Sequence, residues 1–156
     1  MSMPDQRTYT PDSTVQYSTF HIGDLLFGID VMRVQEVLRY QEMTKVPLAP
    51  DVVRGLINLR GQIVTAVDLR QRMNLQPLSD DKLPMNIVVR SAEGVVSLLV
   101  DEISDVLEVH KSAYENPPHN LPIEQRNLIE GLYKLDEQLL LVLDIERVLQ
   151  VPSGSA

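Results

Sequence analysis

Short runs of alternating apolar and polar residues begin at Val15 and predict a mainly β protein. VQYSTFHI (15–22) is followed by Gly23-Asp24 and then by LLFGIDV (25–31), the pattern of two strands joined by a tight turn. Residues 1–14 are polar, contain two prolines and lack periodicity, so we expect a disordered N-terminal lead. Residues 151–156 are expected to form a flexible tail.

The apolar pattern also repeats within the chain. RGLINLRGQIVTAVDLRQRM (54–73) aligns without a gap on EGLYKLDEQLLLVLDIERVL (130–149), 76 residues later. GDLLFGIDVMRVQEVL (23–38) aligns on AEGVVSLLVDEISDVL (92–107), 69 residues later. The same order of both blocks predicts a duplication, with seven extra residues in the middle of the second copy. Each copy should contain strand, strand, helical turn, strand, short helix, hairpin and closing helix.

Proline and glycine positions indicate where the short helices of each copy would lie. In copy one, residues 49–55 (APDVVRG) have Pro50 near the first position and Gly55 at the end. Proline suits the start of a helix and glycine its left-handed C-terminal cap, so we expect a short helix that ends at Gly55. Pro122 and Gly131 repeat the arrangement in copy two.

Turn and capping residues predict the end of each copy. The hairpin of copy one is expected to turn at Arg60-Gly61, and that of copy two at Asp136-Glu137. Asp68 and Asp144 stand directly before the closing helices LRQRM and IERVL. Because a carboxylate can accept from the free N–H groups of a helix start, we expect both aspartates to be N-caps.

Charge separates the two copies. Residues 15–78 carry seven Lys and Arg against six Asp and Glu, whereas residues 79–150 carry six against fourteen. Aligned positions exchange an arginine of copy one for an acid in copy two: Arg54/Glu130, Arg60/Asp136 and Arg70/Glu146. Equivalent surfaces of opposite charge would suit different partners, since electrostatic complementarity mainly sets selectivity and encounter rate. The alternative is that these residues are ordinary solvated surface charges.

Composition narrows the classes of function. The chain has no cysteine, which excludes disulfides and thiolate metal sites and favours an intracellular protein. The net charge of −8 disfavours nucleic acid as a partner. The longest apolar runs are far shorter than the roughly 20 residues of a membrane-spanning helix, and the N-terminus lacks a signal pattern. We therefore expect a cytoplasmic protein without direct membrane insertion.

The sequence contains partial matches to nucleotide-binding and metal-binding motifs, but each match lacks residues that the motif requires. GDLLFG (23–28) has the glycine spacing of a P-loop, but Ile29-Asp30 stand where a lysine and a hydroxyl residue are needed. The three histidines are scattered without a second ligand at helical or strand spacing. The acidic run DEISDVLE (101–108) lacks the glycine turn of a calcium loop. We expect no metal site and no cofactor.

Three stretches resemble the CheW family, the adaptors of bacterial chemosensory arrays. They are FGIDVMRVQEVL (27–38), VRGLINLRGQIVTAVDLR (53–70) and VVSLLVDEISDVLEV (95–109). The stretches keep the family's order and spacing, and the resemblance covers about Tyr17 to Leu149. Thr65 occupies a position where the family usually has proline, a change that a strand tolerates.

The resemblance implies an all-β fold of two tandem five-stranded SH3-like β-barrel subdomains with short connecting helices. We expect a single domain over residues 15–150, with subdomain one at about 15–78 and subdomain two at about 79–150. The resemblance also implies a non-catalytic adaptor that couples the cytoplasmic tip of chemoreceptors (methyl-accepting chemotaxis proteins) to the regulatory domain of a CheA-type histidine kinase. Because that kinase domain shares the fold, unlike faces of the two proteins would meet head to tail.

The resemblance further implies two sets of contact residues. Val34-Gln35-Glu36 matches the family's VQE and Arg60-Gly61 matches the end of its NLRG, so Glu36 and Arg60 would form a surface ion pair beside a receptor groove. The expected receptor-binding residues are Val34, Glu36, Arg54, Arg60, Ile103 and Val106, the last two on the opposing wall of the groove. The expected kinase-binding residues, along the edge from Arg39 to Val46, are Arg39, Tyr40, Thr44 and Val46. For Val34, a purely structural role in the core is the alternative.

Two functions of other classes stay open at this point. A small regulatory β-barrel that binds a small molecule would need a convergent polar pocket. A hydrolase that uses a carboxylate pair would need two positioned acids, and the sequence offers only abundant Asp and Glu.

Overall fold

The computed structural model describes residues 13–79 and 81–150. The expected tail at residues 151–156 and residues 1–12 of the expected lead lie outside the described residues. Thr14, the last residue of that lead, already belongs to the first strand.

The described part of the chain is built from ten strands and a few short helices. The strands are β1 Thr14–Ile22, β2 Leu25–Asp30, β3 Val34–Leu38, β4 Val53–Leu59, β5 Gln62–Asp68, β6 Met85–Ser91, β7 Gly94–Val100, β8 Glu102–His110, β9 Ile129–Lys134 and β10 Leu139–Leu143. The helices are α1 Leu69–Arg72, α2 Ile123–Arg126 and α3 Ile145–Leu149, with 3₁₀ turns at Val31–Arg33 and Lys111–Ala113.

The strands form two five-stranded sheets with matching topology. The first sheet has the order β8-β1-β2-β10-β9, and the second has the order β3-β6-β7-β5-β4. The pairs β2–β10 and β5–β7 are parallel, and the other pairs within the sheets are antiparallel. The predicted all-β fold with two five-stranded units and short helices is confirmed.

Strand register supports the duplication residue by residue. Val34 pairs with Val89 between β3 and β6, and the aligned residues Ile103 and Phe20 pair between β8 and β1. The parallel pairs β5–β7 and β10–β2 correspond in the same way. Offsets found in the sequence therefore describe how the two copies fold.

The expected boundary near residue 78 does not divide the sheets, because the two copies are intertwined. Each sheet takes two strands from one copy and three from the other: β1 and β2 pair with β8 to β10, while β6 and β7 pair with β3 to β5. The chain leaves the first sheet through the 3₁₀ turn Val31–Arg33 and returns to it at Asp101. An alignment of the copies locates them along the chain but does not tell which copy's strands will pair.

Three apolar clusters hold the sheets in place. The largest contains residues of both sheets, such as Phe20 and Phe27 from the first and Ile87 and Leu98 from the second. Each sheet also curls around a smaller cluster of its own, centred on Tyr133 in the first sheet and on Ile57 in the second. The two units therefore share one core, which ties them together.

The helix expected over residues 49–55 is wrong, because Val53 already begins β4 and Gly55 lies within that strand. A Cβ at Gly55 would lie 2.7 Å from the Thr44 carbonyl oxygen. Thr44 belongs to the β3–β4 loop (residues 39–52), which packs on β4 through two hydrogen bonds of 2.9 and 2.8 Å between Thr44 and Leu56. Glycine is needed here for close approach of the loop, not for a helix cap.

The second copy shows the same close approach. The helix after Pro122 is present as α2, but Gly131 lies in β9 and is no helix cap. A Cβ at Gly131 would overlap the ring of Tyr114. The neighbouring Glu115 pairs with Leu132 through two hydrogen bonds of 2.9 Å, the counterpart of the contact in copy one.

The predicted turns and caps are confirmed. Arg60 and Gly61 have φ values of 52° and 89° and form the β4–β5 turn. The β9–β10 turn spans residues 135–138, centred on Asp136-Glu137, and is closed by a 2.8 Å hydrogen bond from the Leu135 N–H. Asp68 and Asp144 accept from backbone N–H groups at the starts of α1 and α3.

Candidate protein-docking site

An ion pair joins opposite edges of the second sheet. Glu36 lies on edge strand β3, and its Oε2 accepts a hydrogen bond from Nη2 of Arg60 at the β4–β5 turn beside edge strand β4. The Asn58 side chain accepts from the Gly61 N–H at 2.9 Å and fixes the turn that carries Arg60. The hydrogen bond and the charge of Glu36 raise the pKa of Arg60. Glu36 and Arg60 therefore pair as the family resemblance implied.

The pair leaves most of the arginine in solvent. The Arg60 side chain is 71% exposed, whereas the Glu36 side chain is only 20% exposed. An exposed ion pair contributes little to stability, so its main physical effect here is to orient the guanidinium. A partner that binds at β3 would therefore meet a guanidinium that is held in one orientation beside that strand.

Val34 and Ile103 are aligned residues that reach the same core. Val34 begins β3 and Ile103 lies near the start of β8, each on the edge strand of its own sheet. Both are half-buried and pack against the large shared cluster. The structural role considered for Val34 is therefore present, and part of its surface stays open to solvent.

Both edge strands carry an irregularity just after these residues. The register shifts between Val34 and Glu36 in β3, and opposite Ser18 and Phe20 in β8. Such bulges bend an edge strand and redirect its side chains. Val106 of β8 is 56% exposed as a result of its outward position.

Val37, which is aligned with Val106, is a site residue that sequence reasoning missed. Val37 is 39% exposed on β3, so each edge strand presents one outward valine after its bulge. The 69-residue offset between the copies aligns position 37 with position 106, so the sequence alignment could have indicated Val37. Met32, 78% exposed in the 3₁₀ turn before β3, adds a further exposed apolar side chain that no periodicity indicated.

Arg54 lies in a different setting from the other expected receptor-binding residues. Its Nη1 donates to Asp68 Oδ2 at 2.8 Å, so it pairs with the N-cap of α1. Arg54 also lines a cavity of about 420 Å³ together with Tyr40 and Arg70. The structure therefore groups Arg54 with an expected kinase-binding residue.

The expected kinase-binding residues follow β3 into the β3–β4 loop. Arg39 is exposed and its carbonyl accepts from the buried Asn86 side chain at 3.1 Å, which anchors the start of the loop. Thr44 and Val46 are exposed, with Thr44 held on β4 by its backbone bridge to Leu56. The loop is thus fixed at both of these points while its side chains face solvent.

Leu48 is the most exposed apolar residue of this loop, and sequence reasoning missed it. It is fully exposed and has a φ of 66°, a left-handed conformation that is costly for a non-glycine residue. No apolar pattern in the sequence indicates such a residue. We call Arg39, Tyr40, Thr44, Val46 and Leu48 the loop surface. We call Arg60 and the edge-strand residues Val34, Glu36, Val37, Ile103 and Val106 the groove surface, after the groove that the family resemblance implies.

The charge exchange between the copies changes the local chemistry at equivalent positions. Where copy one places Arg54 against Asp68, copy two places Glu130 near Asp144. Burial, and then the charge of Asp144, raise the pKa of Glu130. The two copies therefore present unlike surfaces on the same backbone.

The described residues contain no group of three or more His, Cys, Asp and Glu side chains placed to hold a metal ion. His21 bonds Ser104 at 3.0 Å and His119 contacts Arg126 at 3.3 Å. Within residues 13–79 and 81–150, none of the helices has the length and apolar character needed to cross a membrane.

The chain is similar to known proteins over most of its length. The family model of the CheW-like domain matches residues 16–153. The chain belongs to the CheW family. It is 34% identical over 134 residues to the chemotaxis protein CheW of Klebsiella aerogenes, covering 86% of this chain and 81% of that protein. It is 32% identical to the chemotaxis protein CheW of Bacillus subtilis, covering 88% of each.

A solved structure of the family has the same fold. The scaffolding protein TtCheW from Thermoanaerobacter tengcongensis aligns with a TM-score of 0.82 at 26% sequence identity. The alignment covers 92% of this chain and 98% of that one. The chain therefore has the fold of its family.

Proposed function

We propose that the chain is a non-catalytic adaptor that couples chemoreceptors to a CheA-type histidine kinase in a bacterial chemosensory array. The observation that carries the proposal is the Glu36–Arg60 ion pair, which holds an exposed cation against β3, the edge strand that also carries Val34 and Val37. Membership of the CheW family, to which the scaffolding protein TtCheW belongs, supports it. The protein would act in the cytoplasm and be recruited to membrane-associated receptors.

The groove surface is assigned to the receptor. Val34 on β3, the strand of Glu36, and Ile103 and Val106 on β8 would offer apolar contact area. With the cation at Arg60 they would suit a helical tip that has apolar and acidic side chains. Burial of exposed valines supplies affinity, and the oriented guanidinium supplies selectivity and encounter rate. Arg54 lines a cavity together with Tyr40 of the loop surface. Of the expected receptor-binding residues, it is therefore the one whose position supports that role least.

The loop surface is assigned to the regulatory domain of the kinase. Its backbone is anchored by the Asn86 and Leu56 contacts, so the exposed Val46 and Leu48 are presented without a large ordering cost. A rigid, exposed apolar loop is typical of protein-docking surfaces. Separate surfaces for receptor and kinase would allow both partners to bind at once.

Calorimetric titration with the regulatory domain of a CheA-type kinase from the same organism tests the kinase half of the proposal. Saturable one-to-one binding that is weakened by Val46→Asp, and unaffected by Arg60→Glu, is the expected result. Absence of binding would overturn the kinase assignment. A thermal-shift response to small metabolites in that case would favour the ligand-binding β-barrel.

A further inference from the structure

Two ion pairs join the copies at equivalent places. Arg70, in α1 of copy one, donates Nε and Nη2 to the two carboxylate oxygens of Asp101 in copy two, at 2.8 and 2.6 Å. Glu146, in α3 of copy two, is the residue aligned with Arg70 and accepts from Nη2 of Arg33 in copy one at 2.8 Å. Arg33 and Asp101 both lie where the chain crosses between the sheets.

The likeness of the two sites extends to the backbone. The Gly23 N–H, at the β1–β2 turn, donates to Asp101 at 2.6 Å. The Ala92 N–H, at the aligned β6–β7 turn, donates to Glu146 at 3.0 Å. In one site the cation lies on a helix and the acid lies where the chain crosses between the sheets (a helix cation and a crossover acid). In the other site the helix carries the acid and the crossover carries the cation.

The first site is the more buried of the two. The side chains of Arg70 and Asp101 are 19% and 12% exposed, against 41% and 42% for Arg33 and Glu146. Burial by itself would raise the pKa of Asp101, but the hydrogen bonds from Arg70 and the Gly23 N–H lower it below its ordinary value. Both pairs link copy one to copy two.

Duplicated and intertwined copies have an alternative way to pair. In two chains, copy one could pair with copy one and copy two with copy two, which would produce a dimer held together by pairing of identical copies. Arg70 would then face Met32 and Arg33 of the other chain, because these residues align with Asp101 and Glu102. Glu146 would face the acids Asp101 and Glu102. Like charges would meet at every crossover.

We propose that the exchanged polarity of the Arg70–Asp101 and Arg33–Glu146 pairs directs copy one to pair with copy two, and not with another copy one. Attraction favours this arrangement, and repulsion between like charges disfavours pairing of identical copies between chains. The Arg70/Glu146 exchange noted in the sequence is thereby explained. The inference does not depend on the adaptor function.

A charge-reversal series tests the proposal. In the variant R33E/E146R the Arg70–Asp101 pair is unchanged and the other pair has reversed polarity, so both sites now have a helix cation and a crossover acid. Pairing of identical copies between chains then becomes attractive at every crossover. After refolding at high protein concentration, size-exclusion chromatography with light scattering should show about tenfold more dimer than for the unmodified protein. The dimer should persist on dilution, as expected when chains are exchanged.

Two further variants make the result specific. R70E/D101R reverses the other pair and should also raise the dimer fraction, so the test survives if the first variant does not fold. The quadruple variant R33E/E146R/R70E/D101R restores the exchange of polarity and should return to the behaviour of the unmodified protein. Each double variant alone should raise the dimer fraction, and their combination should restore the monomer. This rescue is expected if the charges decide which copies pair.

A matched control uses an ion pair within one copy. Glu115 and Lys134 lie 3.6 Å apart, and both belong to copy two, so E115K/K134E leaves the choice between copies unchanged. We expect this variant to form no more dimer than the unmodified protein. The proposal is overturned if the reversal variants stay monomeric, if E115K/K134E dimerises as strongly, or if the quadruple variant is not rescued.

Discussion

Gly55→Ala should damage the loop surface and spare the groove surface. The new Cβ would lie 2.7 Å from the Thr44 carbonyl oxygen and 3.0 Å from the Met43 Cβ, so the β3–β4 loop must move away from β4. The first contact is with backbone, which cannot rotate aside as a side chain can. The two hydrogen bonds between Thr44 and Leu56 would be lost or lengthened.

The expected loss of stability can be worked from these contacts. Two backbone hydrogen bonds contribute about 0.5–1.5 kcal/mol each, a total of about 1–3 kcal/mol. Replacing glycine by alanine restricts the unfolded chain and offsets about 0.4–1 kcal/mol of this. The free energy of unfolding should therefore fall by about 1–2 kcal/mol, which lowers the thermal midpoint by roughly 3–6 °C for a chain of this size.

Urea denaturation and calorimetric titration against the kinase regulatory domain measure the two effects. Gly131→Ala is the matched variant, because its Cβ would displace Tyr114 in the other copy and leave the loop surface intact. We expect Gly55→Ala to weaken kinase binding several-fold more than Gly131→Ala, although both variants lose stability. Unchanged stability of Gly55→Ala, or equal kinase binding by both variants, would refute the reasoning.

Three other predictions follow from the described contacts. Arg60→Glu should weaken binding to a receptor cytoplasmic fragment by about tenfold or more and leave the thermal midpoint nearly unchanged, with recovery in E36R/R60E; a large fall in midpoint would make Arg60 structural. Val106→Asp, at a position that is 56% exposed, should likewise reduce receptor binding without loss of stability, as checked by titration and thermal melting. Asp101→Asn should reduce the free energy of unfolding by about 2 kcal/mol at pH 7, because it leaves the bidentate partner Arg70 uncompensated. Since the folded-state pKa of Asp101 is lowered, its stabilisation is complete above the unfolded value of about 3.9 and is lost as the pH falls through the folded value, so urea titrations of variant and original should converge at low pH.

Local features of the fold could be predicted because each depends on a few neighbouring residues. The first hairpin around Gly23, the left-handed turn at Arg60-Gly61 and the caps Asp68 and Asp144 all follow from residue preferences that act within a few positions. The duplication could be predicted because it preserves apolar positions at fixed offsets. Strand register in the two sheets repeats those offsets.

Long-range features could not be predicted from the same patterns. A duplicated sequence is equally compatible with separate and with intertwined copies, so it could not show that each sheet takes strands from both copies. Gly55 and Gly131 were read as helix caps because absence of a Cβ serves a left-handed cap and a close contact equally well. Which of these reasons applies depends on Thr44 and Tyr114, residues more than ten positions away.

At the site, too, one contact could be predicted from the sequence, whereas features that depend on the folded structure could not. The family resemblance implied the Glu36–Arg60 pair, and the structure contains it. The resemblance did not separate Arg54 from the receptor set, because only the fold brings Arg54 to Asp68 and the cavity beside Tyr40. Leu48 is notable for its full exposure and its left-handed backbone conformation. No pattern in the sequence predicts either feature.

The central claim is that one molecule holds a receptor and a kinase together. The most direct test is a sedimentation assay with vesicles that carry a receptor cytoplasmic fragment, mixed with the kinase regulatory domain in the presence and absence of this protein. The account predicts that the kinase domain sediments only when the protein is present, and that Arg60→Glu or Val46→Asp abolishes its sedimentation. Kinase domain that stays in the supernatant while the unmodified protein sediments with the vesicles would contradict the account.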